Sequence, residues 1–458
     1  MSMALGIFCA LLIWLAAGAG AALLLLPGRG AARVEFAGLT ILLGSGFVTM
    51  SLFCLGLMGL RGLSLRAAVS VGACVLFGAG ILRAKKRGLR FPAGFPVQKE
   101  LGYALGIVLA AQCLIVSWQT FNHPLGWDGL FVWEIKARIA FLNGGSLPRA
   151  FFTDASRAWS HAEYPLGVPL MESWFYGFLD QPYQSVAKTF CPLFYVASVC
   201  LFLAAGGKFA SEEPWRGAAA AMVMFFIPSV IFHPGGAISG WADFPLAVTY
   251  FAAVIYLADF ACGGSVTALR IFACCGALLP WIKRDGTVLW ACLVAIGAVV
   301  GWRRRTLFPV LLANAPGLAV VCGWKVFTTC MHVSASKDFL PAQPTTFFAN
   351  VDRLSLVAVF LLRESVNCAR WSLLWPAVFV ALWQLARDSR SQTLAGTLAA
   401  SIFLPAACFA GVYCFSAWPD IWLHISTSFP RLLIDVAPVA SLAVALALPS
   451  PRAWMKSS

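Results

Sequence analysis

The chain has 458 residues, of which 60% are hydrophobic and only 11% are charged, and its mean hydropathy is +0.82. Soluble domains carry about 25% charged residues, so this composition excludes a water-soluble globular protein. The net charge of +14 sits largely in short loops rather than in a basic domain, which excludes nucleic-acid binding. Unpaired strand edges find no hydrogen-bond partners in a bilayer, so we expect an all-α, polytopic transmembrane helical bundle.

Apolar runs long enough to cross a bilayer follow one another along the chain. A span needs about 20 apolar residues, and on that measure we expect about thirteen spans. The runs lie near 3–26, 37–60, 66–82, 101–120, 186–207, 215–232, 242–262, 268–282, 286–301, 307–327, 371–386, 393–415 and 430–448. The first run is too long for a signal-peptide core and lacks a basic start, so we expect a retained helix. The fifteen cysteines show no zinc spacing and are expected to be packing residues.

Basic residues give the expected orientation, because Lys and Arg concentrate in cytoplasmic loops. The densest loop, 83–100, is therefore placed inside. It holds Arg83, Lys85, Lys86, Arg87 and Arg90. Counting spans from it places the N-terminus outside and these basic residues inside: Arg29, Arg33, Lys208, Arg216, Arg303, Arg304, Arg305, Arg387, Arg390, Arg452 and Lys456. Arg61 and Arg66 fall outside, against the trend.

Segment 349–366 would reverse the later orientation if it were a span. It carries four charged residues beside an apolar helical stripe of Leu354, Val357, Leu361 and Leu362, so we expect an interfacial amphipathic helix instead. The outer segments are then 121–185, 233–242, 283–285, 328–370 and 416–430, and any chemistry is expected there, on the outer face of the membrane.

The 121–185 segment holds the first candidate residues. Asp128 either caps a helix or acts as a base, with Trp127 and Trp133 either stacking on a sugar or forming an interfacial aromatic belt. Glu134 and Arg138 have the spacing of an i,i+4 pair. His161 and Glu163 could bind a metal or a phosphate, but two residues do not define a metal site, and a solvated loop pair is the alternative.

Three later segments add charged candidates at the outer face. Asp243 stands at the mouth of a span, where a carboxylate is costly, although it could cap the helix. Lys283 and Arg284 form a basic pair on the outer side, where the charge rule does not expect one. The pair indicates either a bound anion or a tight polar turn before Gly286. Arg431 is expected at the start of the last span, against the helix dipole, either near an anion or reaching lipid headgroups.

In this order the residues resemble the GT-C superfamily of membrane glycosyltransferases, most of all the bacterial relatives of protein mannosyltransferases and aminoarabinose transferases. The resemblance covers about residues 101–448 and implies three regions: extra N-terminal helices with a basic loop at 1–100, the transferase-like domain at 101–448, and a cytoplasmic tail at 449–458. It implies sugar transfer, with inversion, from a polyprenyl-phosphate carrier to a glycan or lipid acceptor.

The same resemblance assigns roles to residues. Asp128 would activate the acceptor, Asp243 would be the second carboxylate, and Lys283, Arg284 and Arg431 would surround the donor phosphate. Gly129 stands where some members have a second acidic residue, so the substrate class does not carry over. A divalent metal is possible but unassigned. The alternatives are a polysaccharide polymerase or ligase, a lipid or sugar transporter, and a structural membrane subunit.

Overall fold

The computed structural model describes residues 2–26, 32–89, 99–333 and 337–450, and within these ranges the chain is helical without a β-strand. An isolated antiparallel bridge pairs Phe339 with Ser416. Several predicted basic positions lie outside the described residues, namely Arg29, Arg90 and the tail residues Arg452 and Lys456.

The helices follow the apolar runs in chain order. The first half contains α1 (Met3–Leu25), α2 (Arg33–Leu57), α3 (Gly62–Arg87), α4 (Lys99–Asn122), α5 (Gly126–Asp128), α6 (Ile135–Leu142), α7 (Arg149–Thr153), α8 (Gly167–Leu179), α9 (Gln184–Ala187), α10 (Phe190–Phe209), α11 (Trp215–Phe225) and α12 (Pro228–Ile231). The second half contains α13 (Asp243–Ala261), α14 (Val266–Ile282), α15 (Asp285–Arg303), α16 (Leu307–Ala313), α17 (Ala315–Cys330), α18 (Pro344–Ala349), α19 (Arg353–Ser365), α20 (Cys368–Trp371), α21 (Leu374–Arg387), α22 (Gln392–Val412), α23 (Ile421–Ile434) and α24 (Ala437–Leu446).

The described helices include nine that are long and apolar enough to cross a membrane, and α23 with α24 forms a tenth candidate bent by 51°. These helices indicate an integral membrane protein. The expected count of about thirteen is not confirmed, because three predicted runs form shorter helices. These are α11 with 11 residues, α14 with 17 and α21 with 14.

Small residues let the N-terminal helices pack closely. A side chain at Gly18 would collide with the backbone carbonyl of Thr40, and one at Gly44 would collide with Trp14. Close backbone approach at small residues is a usual way for helices to associate in membranes, because burying apolar side chains between helices instead of in lipid supplies little driving force there. Trp14 adds a hydrogen bond from its indole nitrogen to the Ile41 carbonyl at 2.9 Å.

Helix α13 forms the centre of the molecule, and nearly all of its residues are buried. The N-terminal helices pack directly on the rest of the bundle. The Trp281 indole donates to Thr49 Oγ1 at 2.9 Å, and the Trp174 indole donates to the Ala10 carbonyl at 3.1 Å.

Charged residues gather at both ends of α13. At its C-terminal end Lys208 pairs with Glu35 at 2.9 Å and with Asp259 at 3.3 Å. At its N-terminal end stands Asp243, in the candidate site described below. The predicted amphipathic helix corresponds to α19, which buries Val357 but exposes Leu362, so its buried stripe differs from the expected one.

Candidate functional site

Asp243 is the first residue of α13, and its side chain is fully buried. It makes no helix-capping hydrogen bond. Its carboxylate instead accepts from Lys283 Nζ at 2.8 Å and from two nitrogens of Arg431, Nε at 3.3 Å and Nη2 at 3.2 Å. A buried charge requires such partners, so Asp243 anchors two cations rather than capping a helix.

Arg431 joins Asp243 to the 121–185 segment. Its third nitrogen, Nη1, lies 2.8 Å from Asp128 Oδ2, and its guanidinium stacks 4.4 Å from the Trp241 ring. All three guanidinium nitrogens are therefore bound by carboxylates. The expected position of Arg431 at a helix start is wrong: it lies in the last turn of α23, where the helix dipole favours a cation.

Lys283 lies between α14 and α15 and is almost completely buried. Besides Asp243 it pairs with Asp285 at 2.5 Å. Burial disfavours its ammonium form, but the two carboxylates outweigh that effect and hold its pKa above the usual value. Lys283 is therefore charged, and its charge is matched within the protein.

These five groups define the site cluster: Asp128, Asp243, Lys283, Asp285 and Arg431. Its three carboxylates and two cations leave one net negative charge. The sequence-based argument expected Lys283 and Arg431 to converge on a bound anion. The structure brings them together on Asp243, which already supplies the negative charge.

Arg284 is separate from the contacts of this cluster. Its side chain is exposed, and its guanidinium lies 5.2 Å from the Phe339 ring. Of the three cations predicted to bind a phosphate, Lys283 and Arg431 therefore lie together, and Arg284 is an exposed neighbour.

Asp435 is a buried carboxylate that sequence reasoning missed. It follows α23, is fully buried, and both of its oxygens lack a hydrogen-bond partner among the described residues. It lies close enough to Lys283 and Asp243 for electrostatic interaction. An aspartate inside the apolar run 430–448 was the signal that could have revealed it, because such residues are costly in a membrane.

Asp128 is the carboxylate of this cluster that is open to a cavity. Its side chain is 24% exposed and lines the cavity, whereas Asp243 is 0% exposed and Asp285, at 28%, is not part of the cavity lining. It ends the short helix α5, which continues into a π-helical segment, Gly129–Glu134, and it makes no capping hydrogen bond. The capping interpretation is therefore wrong, since the carboxylate turns to Arg431. π-Helical turns are rare and often occur at functional sites.

The cavity beside Asp128 has a volume of about 540 Å³. Aromatic rings and hydroxyl groups dominate its wall. They include Trp127, Trp241, Trp418, Ser426, Thr427 and Ser428. Trp127 is exposed, as a stacking residue would be. Aromatic faces with hydroxyl groups suit a polyhydroxylated ligand, because they offer both stacking and hydrogen bonds.

Trp133 does not fit the predicted role in sugar stacking. Its side chain is completely buried, and its ring lies 5.9 Å from Tyr164 and 5.5 Å from Lys136 Nζ. The neighbouring Glu134 forms the predicted i,i+4 pair with Arg138 at 3.0 Å. Trp133 therefore belongs to the packing beneath the cavity.

His161 and Glu163 form a separate cluster with Lys136. His161 Nδ1 lies 3.3 Å from Glu163 Oε1 and 3.9 Å from Asp338 Oδ2. Hydrogen bonding and nearby cations outweigh burial and lower the pKa of Glu163. Among the described residues no group of three or more His, Cys, Asp or Glu side chains could hold a metal ion.

Lys136 is a second residue that sequence reasoning missed. It is completely buried, and its Nζ donates to the His161 carbonyl at 2.6 Å. Burial lowers the pKa of Lys136 to about 7, although Glu163 partly opposes the shift. Its place in α6, between the charged residues Glu134 and Arg138, gave no sign of burial.

Comparison of the chain with protein-family models, curated proteins and solved structures finds no match. The chemistry of the site therefore rests on its geometry. An accessible carboxylate stands in a cavity suited to hydroxylated ligands and is held in place by an arginine. Such a group can accept a proton from a bound hydroxyl.

Proposed function

We propose that the protein is a membrane glycosyltransferase that moves a sugar from a polyprenyl-phosphate carrier to a hydroxyl acceptor on a glycan or lipid. The observation that carries the proposal is Asp128, an accessible carboxylate at the wall of the cavity, with Arg431 2.8 Å away. The ordered resemblance of the outer segments to GT-C enzymes agrees with it.

The proposed step gives each side chain one task. The acceptor oxygen attacks the anomeric carbon while its proton passes to Asp128, and the bond from that carbon to the phosphate oxygen breaks with both electrons leaving on the phosphate. Arg431 holds the Asp128 carboxylate in position. Asp243 is buried and holds Arg431, so its role is positioning rather than proton transfer.

The expected orientation places this cavity on the outer face of the inner membrane. The charge rule places the basic C-terminal ends of α3 and α10 on the cytoplasmic side. Asp243 and Asp259 stand at opposite ends of α13. A lipid-linked donor needs a reaction site at a membrane surface, which the helix ends around Asp243 would provide.

Transport is the second candidate function, and one observation favours it. Helices α23 and α24 form a pair bent by 51°, with Asp435 at the bend, where its oxygens find no hydrogen-bond partner among the described residues. Transporters often bind substrates at such broken helices near the bilayer midplane. The accessible cavity, however, lies beside Asp128 at the ends of helices, which favours chemistry at a surface.

Product analysis tests these alternatives. The purified protein in lipid nanodiscs would receive a polyprenyl-phosphate-linked sugar and a hydroxyl acceptor. Our proposal predicts a glycosylated acceptor and free polyprenyl monophosphate in equal amounts. A parallel reaction would receive a polyprenyl-diphosphate-linked glycan. Release of polyprenyl diphosphate in that reaction would instead identify a polymerase or ligase. Translocation of intact donor in sealed vesicles, without cleavage, would identify a transporter.

A further inference from the structure

The two arginines that line the cavity differ in how many of their guanidinium nitrogens are bound by protein carboxylates. Arg431 is bound by carboxylates at all three nitrogens. Arg370 donates from Nη1 to Glu364 at 3.3 Å, and the described contacts place no protein acceptor at its Nε or Nη2. Glu364 also accepts from the Trp371 indole at 2.9 Å, so its charge does not depend on Arg370 alone. Arg370 can therefore bind an anion.

A buried hydroxyl group lies on the same cavity wall. Ser229 is 2% exposed, and its Oγ has no hydrogen-bond partner among the described residues. It lies on α12, which packs against the Arg370 helix α20, and the cavity also contacts His233. A buried hydroxyl without a partner is costly, so its position beside a cavity indicates a ligand that bonds to it.

An apolar groove is lined by the neighbours of these groups along the chain. It has a volume of about 430 Å³, and its lining includes Phe226, Ile227, Trp371, Leu374, Ala377 and Val444. Ile227 lies two residues before Ser229, and Trp371 follows Arg370, so the groove and the polar wall share two chain segments. The Ser372 hydroxyl donates to the Phe226 carbonyl at 2.6 Å and joins those segments.

We propose that Arg370 and Ser229 bind the phosphate of a polyprenyl-phosphate lipid whose isoprenoid chain lies in this groove. A guanidinium with free N–H groups and a free hydroxyl group match phosphate oxygens, and an apolar groove lined by the same two chain segments matches a single hydrocarbon chain. The inference rests on the proposed function for the choice of lipid. It assigns the donor phosphate to Arg370 and Ser229 instead of the predicted Lys283, Arg284 and Arg431.

Binding of a radiolabelled long-chain polyprenyl phosphate to the full-length protein in nanodiscs tests this site without requiring transfer. Arg370→Gln should weaken that binding about tenfold, the scale of one lost charge-assisted hydrogen bond, and should leave binding of the uncharged polyprenol unchanged. Ala377→Trp fills the groove and should weaken binding of both lipids. Arg363→Gln is the matched control, because this arginine stacks on Trp422 and does not line the cavity.

Ser229→Ala provides a second test if Arg370→Gln proves unstable through its contact with Glu364. It should weaken polyprenyl phosphate binding by a few-fold without affecting the polyprenol. Wild-type affinity in both Arg370→Gln and Ser229→Ala would overturn the site, and so would equal competition by phosphatidylglycerol, which would indicate an ordinary headgroup contact. Asp128→Asn should bind polyprenyl phosphate normally, so the loss of transfer in that variant separates the proposed reaction from this binding site.

Discussion

Arg431 Nη1 lies 2.8 Å from Asp128 Oδ2, so one guanidinium links the 121–185 segment to the last pair of helices. Its other two nitrogens bind Asp243 at the start of α13. The three residues are far apart in the chain, and a fork of five N–H donors suits this double pairing better than an ammonium would. Arg431 therefore fixes the position of the accessible carboxylate against the buried core.

Asp243→Asn should destabilise the protein, because Lys283 and Arg431 would lose a buried countercharge. The expected loss is about 3 kcal/mol, the lower end for breaking a buried ion pair, since Asp285 and Asp128 still pair with the two cations. Thermal unfolding in nanodiscs should show a clearly lower midpoint. Asp180→Asn is the control: its exposed pair with Arg66 should contribute about 0–1 kcal/mol. Equal midpoints for the two variants would contradict this account.

The orientation can be tested with single cysteines at exposed positions. Lys86→Cys and Ala155→Cys lie at exposed sites, in a background without reactive native thiols. We expect an impermeant thiol reagent added outside intact cells to label position 155 and to spare position 86. The reverse pattern would place the Asp128 cavity on the cytoplasmic side.

The sequence predicted the parts of this molecule that depend on composition and local pattern. Apolar runs predicted the helices, and the cost of a carboxylate at the mouth of a span drew attention to Asp243. Its errors include the place of Arg431, which lies at the end and not the start of a helix, but most of them concern long-range contacts. Trp133 looked like an exposed aromatic residue but is buried, and Arg370 and Ser229 gain importance through a shared cavity wall. One sequence contains no signal for such proximity.

Lys136 should give the protein a distinctive pH dependence. Burial lowers its pKa from 10.5 to about 7 in the folded state, so the unfolded chain binds more protons between those values. Stability from this group should therefore increase as the pH rises from about 7 to about 10.5, by at most about 1.4 kcal/mol per pH unit. Lys136→Met should remove that increase in thermal unfolding scans. The same pH slope in the variant and the wild type would assign the effect to other groups.

Asp128→Asn is the decisive test of the proposed chemistry. Asparagine keeps the size of the side chain and can still accept a hydrogen bond from Arg431, while Asp243 still neutralises that arginine. Folding should therefore be nearly normal, but the hydroxyl proton would have no base to receive it. We expect transfer to fall by about 10²-fold or more, the usual effect of losing a general base. Asp128→Glu restores a carboxylate and should regain part of the activity.

The control for this test is again Asp180→Asn, which removes a carboxylate from an exposed pair outside the cavity and should leave transfer unchanged. Initial rates in nanodiscs, measured beside the thermal midpoint of each variant, separate catalysis from stability. Wild-type transfer by Asp128→Asn would show that this carboxylate is not the base, even though it stands at the cavity wall. A loss of transfer matched by Asp180→Asn would show a general effect of removing negative charge.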